Sequence, residues 1–174
     1  MKCRFSIRLK GMEKAEGSHL KNVNIFSTLT DEERDQLAGF FHVKKFAAGQ
    51  RIIKQGDETD DLYIVHEGYL PVSRTDWDKD VYLSMLGPGD YFGEAALFAS
   101  TQRSANVDAQ GDAVLLAMSK QSFSVYMTEH PDSVRRVLFE MLKQLFLRLQ
   151  TTSMELQSAR KAHQGQVDID KFFT

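Results

Sequence analysis

Two charged residues stand out in the stretch YFGEAALFASTQRSANVDA, residues 91–109, which is otherwise small and apolar. Glu94 and Arg103 are the only charged residues between Asp90 and Asp108. The Arg103 guanidinium is a planar fork of donors that matches two oxygens of one phosphate. Glu94 cannot bind phosphate, but its carboxylate can accept from a hydroxyl such as that of a ribose. The pair therefore suits a nucleotide, whereas a plain ion pair between the two would only staple a loop.

Small residues around this pair would let an anion approach the backbone. Gly93 permits close approach, and Ala95 and Ala96 suit a short helical turn that starts beside it. The free amides at such a turn form an anion site with no side chain in the way. Ser104 adds a hydroxyl donor next to Arg103.

The rest of the sequence predicts no catalytic residue and no metal site. A metal site on a β-structure is expected to pair its histidines closely, and here they occur singly. No spacing typical of a nucleophile elbow or a carboxylate dyad is present, so binding is the expected chemistry. The histidines are His19, His42, His66, His130 and His163.

The elements that must position the site change along the chain. Residues 20–43 predict a short helical entry, in which Thr30 and Glu33 form a capping box. Residues 43–118 alternate short β-prone runs with Gly-rich turns, a pattern typical of a β-sandwich, roll or barrel. Pro71 lies inside one run and is expected at an edge or beside a bulge. The predicted strands are 45–46, 51–53, 62–65, 70–73, 81–86, 106–109 and 113–118.

The chain returns to a helical pattern after Ser119. Residues 119–129 predict one helix, and Pro131 can open a second in its first turn. This second helix is expected to run to residue 164, about 45–50 Å, and to end at Gly165. It carries a heptad stripe, which predicts either packing on the β-structure or a parallel homodimer. The stripe consists of Leu138, Leu142, Leu145, Leu149, Thr152, Leu156 and Ala159.

Composition narrows the class of partner. The 174 residues carry a formal net charge of −2, which does not indicate a broad field for nucleic acid. No apolar run approaches the ~20 residues of a membrane span. The single cysteine, Cys3, excludes an intrachain disulfide. Residues 1–19 read as a basic arm without a signal peptide, with Met12 an alternative start, and a cytoplasmic protein is the default.

Two short runs, FGEAAL at residues 92–97 and RSANVDA at residues 103–109, form a motif. They resemble the phosphate-binding cassette of cyclic nucleotide-binding domains. The resemblance spans about residues 20–160 and implies a mainly β fold, an antiparallel eight-stranded β-roll flanked by helices. The upstream positions that share it are Phe46, Gly49, Ile52, Gln55-Gly56-Asp57, Asp60, Tyr63-Ile64-Val65, Glu67-Gly68 and Leu86-Gly87-Pro88-Gly89-Asp90.

The same resemblance implies roles for individual residues. The amides of 93–95 and the Arg103 guanidinium would hold the cyclic phosphate, with Ser104 also contacting it. Glu94 would take the ribose hydroxyl. Val72 and Leu83 fall where the family lines the base and sugar pocket.

The stretch LQTTS at residues 149–153 resembles the long helix of the catabolite-activator branch of the family. In that branch a Thr-Ser pair, one residue from each subunit, contacts the adenine amino group, which implicates Thr152 and Ser153. That branch continues into a helix-turn-helix domain, whereas little chain follows Gly165, so no DNA binding is expected.

These observations predict four segments: a basic arm at 1–19, the β-roll at 20–130, a dimerisation helix at 131–164 and a tail at 165–174. The expected function is a non-enzymatic receptor for cyclic AMP, without metal, that signals to an unidentified protein through the long helix. Three alternatives stay open: a sensor that prefers cyclic GMP, a β-roll that binds no nucleotide, and a small-molecule or metal-dependent enzyme on a related roll.

Overall fold

The computed structural model describes residues 14–77, 79–99 and 102–172, with the side chains of the last helix described as far as Ser158. It contains eight strands in two four-stranded sheets. The expected antiparallel eight-stranded β-roll is confirmed. The strands are β1 (His42–Phe46), β2 (Arg51–Ile53), β3 (Leu62–Glu67), β4 (Leu70–Asp76), β5 (Lys79–Leu86), β6 (Tyr91–Phe92), β7 (Asn106–Asp108) and β8 (Ala113–Met118).

Long-range antiparallel pairing builds both sheets. One sheet has the order β1-β8-β3-β6, and the other has the order β2-β7-β4-β5. Strand β6 was not predicted, because its two residues show no pattern of their own and are defined by pairing with β3, Tyr63 opposite Phe92. The register of β4 on β5 shifts between Val72 and Ser73, directly after Pro71. The expectation that Pro71 lies at an edge or next to a bulge is therefore confirmed.

Helical segments precede the first strand and follow the last strand along the chain. Two 3-10 turns, Gly17–Leu20 and Asn24–Phe26, precede α1 (Asp31–Ala38). The capping box of α1 is confirmed, since the Thr30 amide donates to Glu33 Oε2 at 2.9 Å and the Glu33 amide donates to Thr30 Oγ1 at 3.2 Å. The later helices are α2 (Ala95–Phe98), α3 (Lys120–Glu129) and α4 (Pro131–Phe172).

Helix α4 is longer than the sequence pattern predicted. The expected end at Gly165 is wrong, because the helix continues to Phe172 and includes most of the predicted tail. A single glycine lowers helix stability by only about 1 kcal/mol relative to alanine, and no proline follows Pro131 to stop the helix. No helix within the described residues is long and apolar enough to cross a membrane. Residues 1–13 of the predicted arm and 173–174 of the tail lie outside the described residues.

Two hydrophobic clusters hold these elements together, and β8 divides them. Leu115 belongs to the cluster inside the roll, whereas Leu116 belongs to the cluster beneath the helices, because successive strand residues point to opposite faces. Met141 is the last residue of α4 in either cluster. Beyond Met141, most side chains of α4 are exposed as far as Ser158.

Candidate functional site

Arg103 lies at the centre of the candidate site and is anchored by residues far away in sequence. Its Nε donates to Thr59 Oγ1 at 2.8 Å, and its Nη2 donates to the Asp61 carbonyl oxygen at 2.7 Å. Its Nη1 donates to the Gly93 carbonyl oxygen at 3.2 Å. These three contacts orient the guanidinium rigidly and leave one N–H on each terminal nitrogen for another acceptor.

The Arg103 side chain is buried and forms no ion pair with any carboxylate in the described part of the chain. The residue is only 7% exposed, and its three partners are a hydroxyl group and two carbonyl oxygens. Among the described residues no carboxylate forms an ion pair with it, so the staple to Glu94 does not form. Burial lowers the pKa of Arg103 below its ordinary value, and Tyr63, Asp61, Asp60 and Glu94 offset only part of this effect. A buried cation without an ion-pair partner is costly, which makes Arg103 a candidate for binding an anion.

The turn after β6 brings the backbone against this guanidinium. Gly93 has φ of 80°, a conformation that favours glycine. Glu94 follows as the N-cap of α2, and no acceptor in the described chain bonds the amides of Glu94 and Ala95. The turn predicted to bind an anion therefore lies beside Arg103, with these two amides without a partner in the described chain.

Glu94 and Ser104 flank the turn and the guanidinium. The Glu94 side chain is half-buried and forms no hydrogen bond or ion pair within the described residues. Ser104 is exposed, directly after the buried Arg103. Both side chains are therefore available to a ligand, although neither contacts Arg103 directly.

Val72 and Leu83 lie on the neighbouring strands β4 and β5. Val72 is half-buried and packs against the cluster inside the roll. Leu83 is 52% exposed and falls at the bulge, between Tyr82 opposite Ser73 and Ser84 opposite Val72. The two residues are thus close in the sheet but differ in burial.

Helix α4 reaches this part of the roll through Arg148. Its guanidinium carbon lies 4.9 Å from the ring centroid of Tyr91, two residues before Gly93. Burial raises the pKa of Tyr91. The charge of Arg148 lowers this pKa and the charge of Glu94 raises it, so both groups act on Tyr91 electrostatically. Thr152 follows Arg148 by four residues and therefore lies one turn further along the same helix face.

Two stripes can be distinguished on α4. The roll-facing stripe begins at Leu138 and Met141 and steps by three and four residues through Leu145, Arg148 and Thr152. Met141 is buried and Leu138 packs on the core, whereas the last three residues are exposed. The exposed stripe consists of Phe139 (63% exposed), Leu142 (49%), Phe146 (59%), Leu149 (63%), Ser153 and Leu156 (56%).

At its first residue the predicted stripe packs on the roll. Leu138 packs on the roll, and Leu145, at 37% exposed, is less open than Phe146 at 59%. The exposed heptad stripe therefore contains Ser153, whereas Thr152, which is also exposed, lies on the helix face that begins with Leu138 and Met141. The side chain of Ala159 lies outside the described part of the chain.

Three residues near the site were not predicted: Thr59, Asp61 and Arg148. Thr59 and Asp61 act on Arg103 through contacts that span 44 and 42 positions, which no local pattern reveals. Arg148 could have been predicted from the sequence, because it lies one helical turn before Thr152, a predicted site residue.

The histidines are less scattered than their spacing suggested. The rings of His19 and His66 lie 4.5 Å apart between centroids, so the expectation of single histidines is wrong for this pair. Within the described residues, however, no three histidine, cysteine or acidic side chains converge as a metal site would require.

Comparison with known proteins identifies the family of this fold. The family model of the cyclic nucleotide-binding domain matches residues 43–130. The chain is 42% identical over 98 residues to the cAMP-dependent protein kinase type II regulatory subunit of Drosophila melanogaster, covering 56% of this chain and 26% of that protein. It therefore spans about a quarter of that relative's length.

Two solved structures have a similar fold. The catabolite activator protein of Thermus thermophilus has a TM-score of 0.69 at 30% identity, over 77% of this chain and 62% of that one. The regulatory subunit of a cAMP-independent protein kinase A from Trypanosoma brucei has a TM-score of 0.58 at 28% identity, over 68% of this chain and 44% of that one. With its matched segment and its β-roll, this chain belongs to the cyclic nucleotide-binding domain family.

Proposed function

We propose that this chain is a receptor for cyclic AMP that has no catalytic activity of its own and signals through α4. The observation that carries the proposal is the buried, oriented Arg103 guanidinium, which has no ion-pair partner among the described residues. A cyclic phosphate bears one negative charge and two free oxygens, which complement the two unused N–H groups of Arg103. The amides of Glu94 and Ala95 add donors on the adjoining turn.

The remaining site residues would read the rest of the nucleotide. Glu94 would accept from the ribose 2′-hydroxyl, and Ser104 would donate to the phosphate. Val72 and Leu83 would line the base and sugar pocket. The relative in Trypanosoma brucei is cAMP-independent, so the family alone does not determine the ligand. Arg103 favours a ligand with a phosphate, because a neutral nucleoside would leave this cation unpaired.

The choice of cyclic AMP depends on α4. Thr152 lies on the roll-facing stripe, where its hydroxyl can accept from an adenine amino group entering from the same subunit. Guanine presents no amino group at that edge. Ser104 favours the alternative, since a hydroxyl beside the arginine can also support the syn purine of cyclic GMP. Cyclic GMP is therefore the second candidate ligand.

The exposed stripe of α4 supports a parallel homodimer. Removing each leucine from water contributes about 1.5–3 kcal/mol, and the stripe repeats with heptad spacing. An apolar groove of about 440 Å³ beside Leu138, Phe139 and Leu142 continues it towards the roll. In such a dimer Ser153 would reach the nucleotide of the partner subunit, while Thr152 reaches its own. The downstream partner stays unidentified, and a kinase is one candidate given the Drosophila relative. A cytoplasmic location stays a prediction.

Calorimetry of nucleotide-free protein with cyclic AMP, cyclic GMP and adenosine tests the proposal. We expect heat with cyclic AMP, a weaker response to cyclic GMP and little with adenosine. Arg103→Ala should lose several kcal/mol of cyclic AMP binding, because a bidentate charged contact in a buried site is removed. No heat with either cyclic nucleotide at millimolar concentration would leave the non-binding β-roll as the correct interpretation. Tighter binding of cyclic GMP would instead reverse the ligand preference.

A further inference from the structure

A second polar cluster lies directly behind Arg103 and contains an ion pair. Lys44 Nζ on β1 lies 2.8 Å from Asp61 Oδ2 and 3.2 Å from the Tyr63 hydroxyl oxygen. The Tyr63 hydroxyl in turn donates to Asp61 Oδ2 at 3.2 Å. The Lys44 and Asp61 side chains are only 28% and 21% exposed, so solvent screens this pair less than a surface pair.

The backbone carbonyl and the side-chain carboxylate of Asp61 have different partners. Its carbonyl oxygen accepts from Arg103 Nη2 at 2.7 Å, whereas its carboxylate accepts from Lys44 and Tyr63. Asp61 is therefore the acidic residue whose backbone is already in contact with the unpaired guanidinium. Rotation about its side-chain bonds would bring the carboxylate towards Arg103, which would then gain the counter-ion that it lacks.

We propose that Lys44 is a positioning residue for the phosphate site, because it holds the Asp61 carboxylate away from Arg103. This inference rests on the proposed function, since it concerns the availability of Arg103 to a cyclic phosphate. Burial opposes the charge on Lys44, but hydrogen bonds to Asp61 and Tyr63 outweigh it and raise the Lys44 pKa. The lysine is thus charged at neutral pH and able to retain the carboxylate.

The Tyr63 ring links the same cluster to the turn. It stacks on Phe92 with a centroid distance of 5.2 Å, and Phe92 directly precedes Gly93. Lys44 Nζ lies 5.0 Å from the centroid of the same ring. A loss of packing at Lys44 could therefore also disturb the turn, and the experiment must separate this effect from the release of Asp61.

Four variants separate the two effects in calorimetry with cyclic AMP. Lys44→Met keeps an unbranched chain but frees the carboxylate. If Arg103 is then paired with Asp61 in nine molecules of ten, the affinity falls about tenfold. Lys44→Arg restores a cation and should bind within about threefold of the wild type. Asp61→Asn keeps the carbonyl acceptor for Arg103 but removes the competing charge.

The double variant Lys44→Met, Asp61→Asn is the decisive protein. We expect it to recover most of the affinity lost in Lys44→Met, because no carboxylate remains to occupy Arg103. A purely structural role for Lys44 predicts no recovery. Unchanged affinity in Lys44→Met, or a double variant as weak as Lys44→Met, would overturn the inference while leaving the proposed function intact.

A ligand-free measurement covers the case in which the wild type binds no cyclic nucleotide. In a crystal structure of nucleotide-free Lys44→Met, we expect the Asp61 carboxylate within 4 Å of the Arg103 guanidinium, the ordinary limit of an ion pair. A carboxylate that stays in its wild-type orientation contradicts the inference. Failure of wild-type binding alone contradicts the proposed function.

Discussion

The Nη1 atom of Arg103 and the carbonyl oxygen of Gly93 are 3.2 Å apart, and this contact leaves no room for a side chain on the glycine. A Cβ added to Gly93 would lie 2.5 Å from that nitrogen and 2.8 Å from the Asp61 carbonyl oxygen. The sequence suggested that Gly93 keeps space for an anion. In the fold it first keeps space for the guanidinium that would bind the anion.

Gly93→Ala should therefore destabilise the protein and abolish strong nucleotide binding. The left-handed backbone adds about 1–2 kcal/mol of strain for alanine, and displacement of Arg103 adds a similar amount. Denaturant unfolding and calorimetry measure the two effects. Gly49→Ala is the matched control, since Gly49 has a similar φ of 77° but no atom within 4 Å of its added Cβ. Gly93→Ala with wild-type affinity would refute the proposed role of this turn.

Leu149→Glu should convert the proposed dimer into a monomer. Leu149 is 63% exposed in one chain, and a carboxylate there would lie unpaired in the centre of the seam. Sedimentation equilibrium at tens of micromolar protein measures the change, and cyclic AMP affinity should fall without being lost. Thr151→Glu adds the same charge on the opposite helix face and should leave the dimer intact. A wild type that is monomeric with and without nucleotide would contradict the seam.

Thr152→Ala and Ser153→Ala should affect binding differently. Thr152 continues the helix face of Leu138 and Met141, so its removal should weaken cyclic AMP binding by about 1 kcal/mol in monomer and dimer alike, the worth of one hydrogen bond. Ser153 lies on the exposed stripe, so its removal should weaken binding only where the dimer forms. Competition between cyclic AMP and cyclic GMP, repeated in the Leu149→Glu background, measures both. An equal effect of Ser153→Ala in both backgrounds would contradict this division.

Glu33 should make stability depend on acid pH. Its carboxylate accepts from the Thr30 amide, from Ser133 Oγ at 2.8 Å and from Arg136 on α4. The Thr30 and Ser133 hydrogen bonds, together with Arg136, lower its pKa from 4.5 to about 2 against the opposing effect of burial. Because the folded pKa is depressed, its stabilisation is complete above about pH 4.5 and is lost as the pH falls towards 2.

Unfolding free energies of the wild type and Glu33→Gln, measured from pH 7 to pH 2, test this effect. We expect a difference of about 1 kcal/mol at neutral pH, since solvent partly screens the group, and convergence in acid. Glu32→Gln, in the same exposed turn, is the control and should track the wild type. Parallel curves for Glu33→Gln and the wild type across this range would contradict the prediction.

Most of the helices and strands, and the resemblance to the family, could be predicted from the sequence alone. Capping at Thr30 and Glu33, the turn glycines and the alternation within most strands are local properties, so they can be read without the fold. The adjacency of Gly93, Glu94 and Ala95 and the Arg103-Ser104 pair are equally local. The family resemblance rests on these short runs, so it can be recognised without knowledge of the fold.

The hydrogen-bond partners of Arg103 and the exposed face of α4, in contrast, depend on the tertiary structure. Thr59 and Asp61 reach Arg103 because antiparallel pairing returns the chain to the same place after more than 40 positions. The heptad pattern admits two neighbouring stripes on α4, and packing of Leu138 and Met141 against the core selects between them. Such contacts depend on which elements meet in space, and the periodicity of a single element does not contain that information.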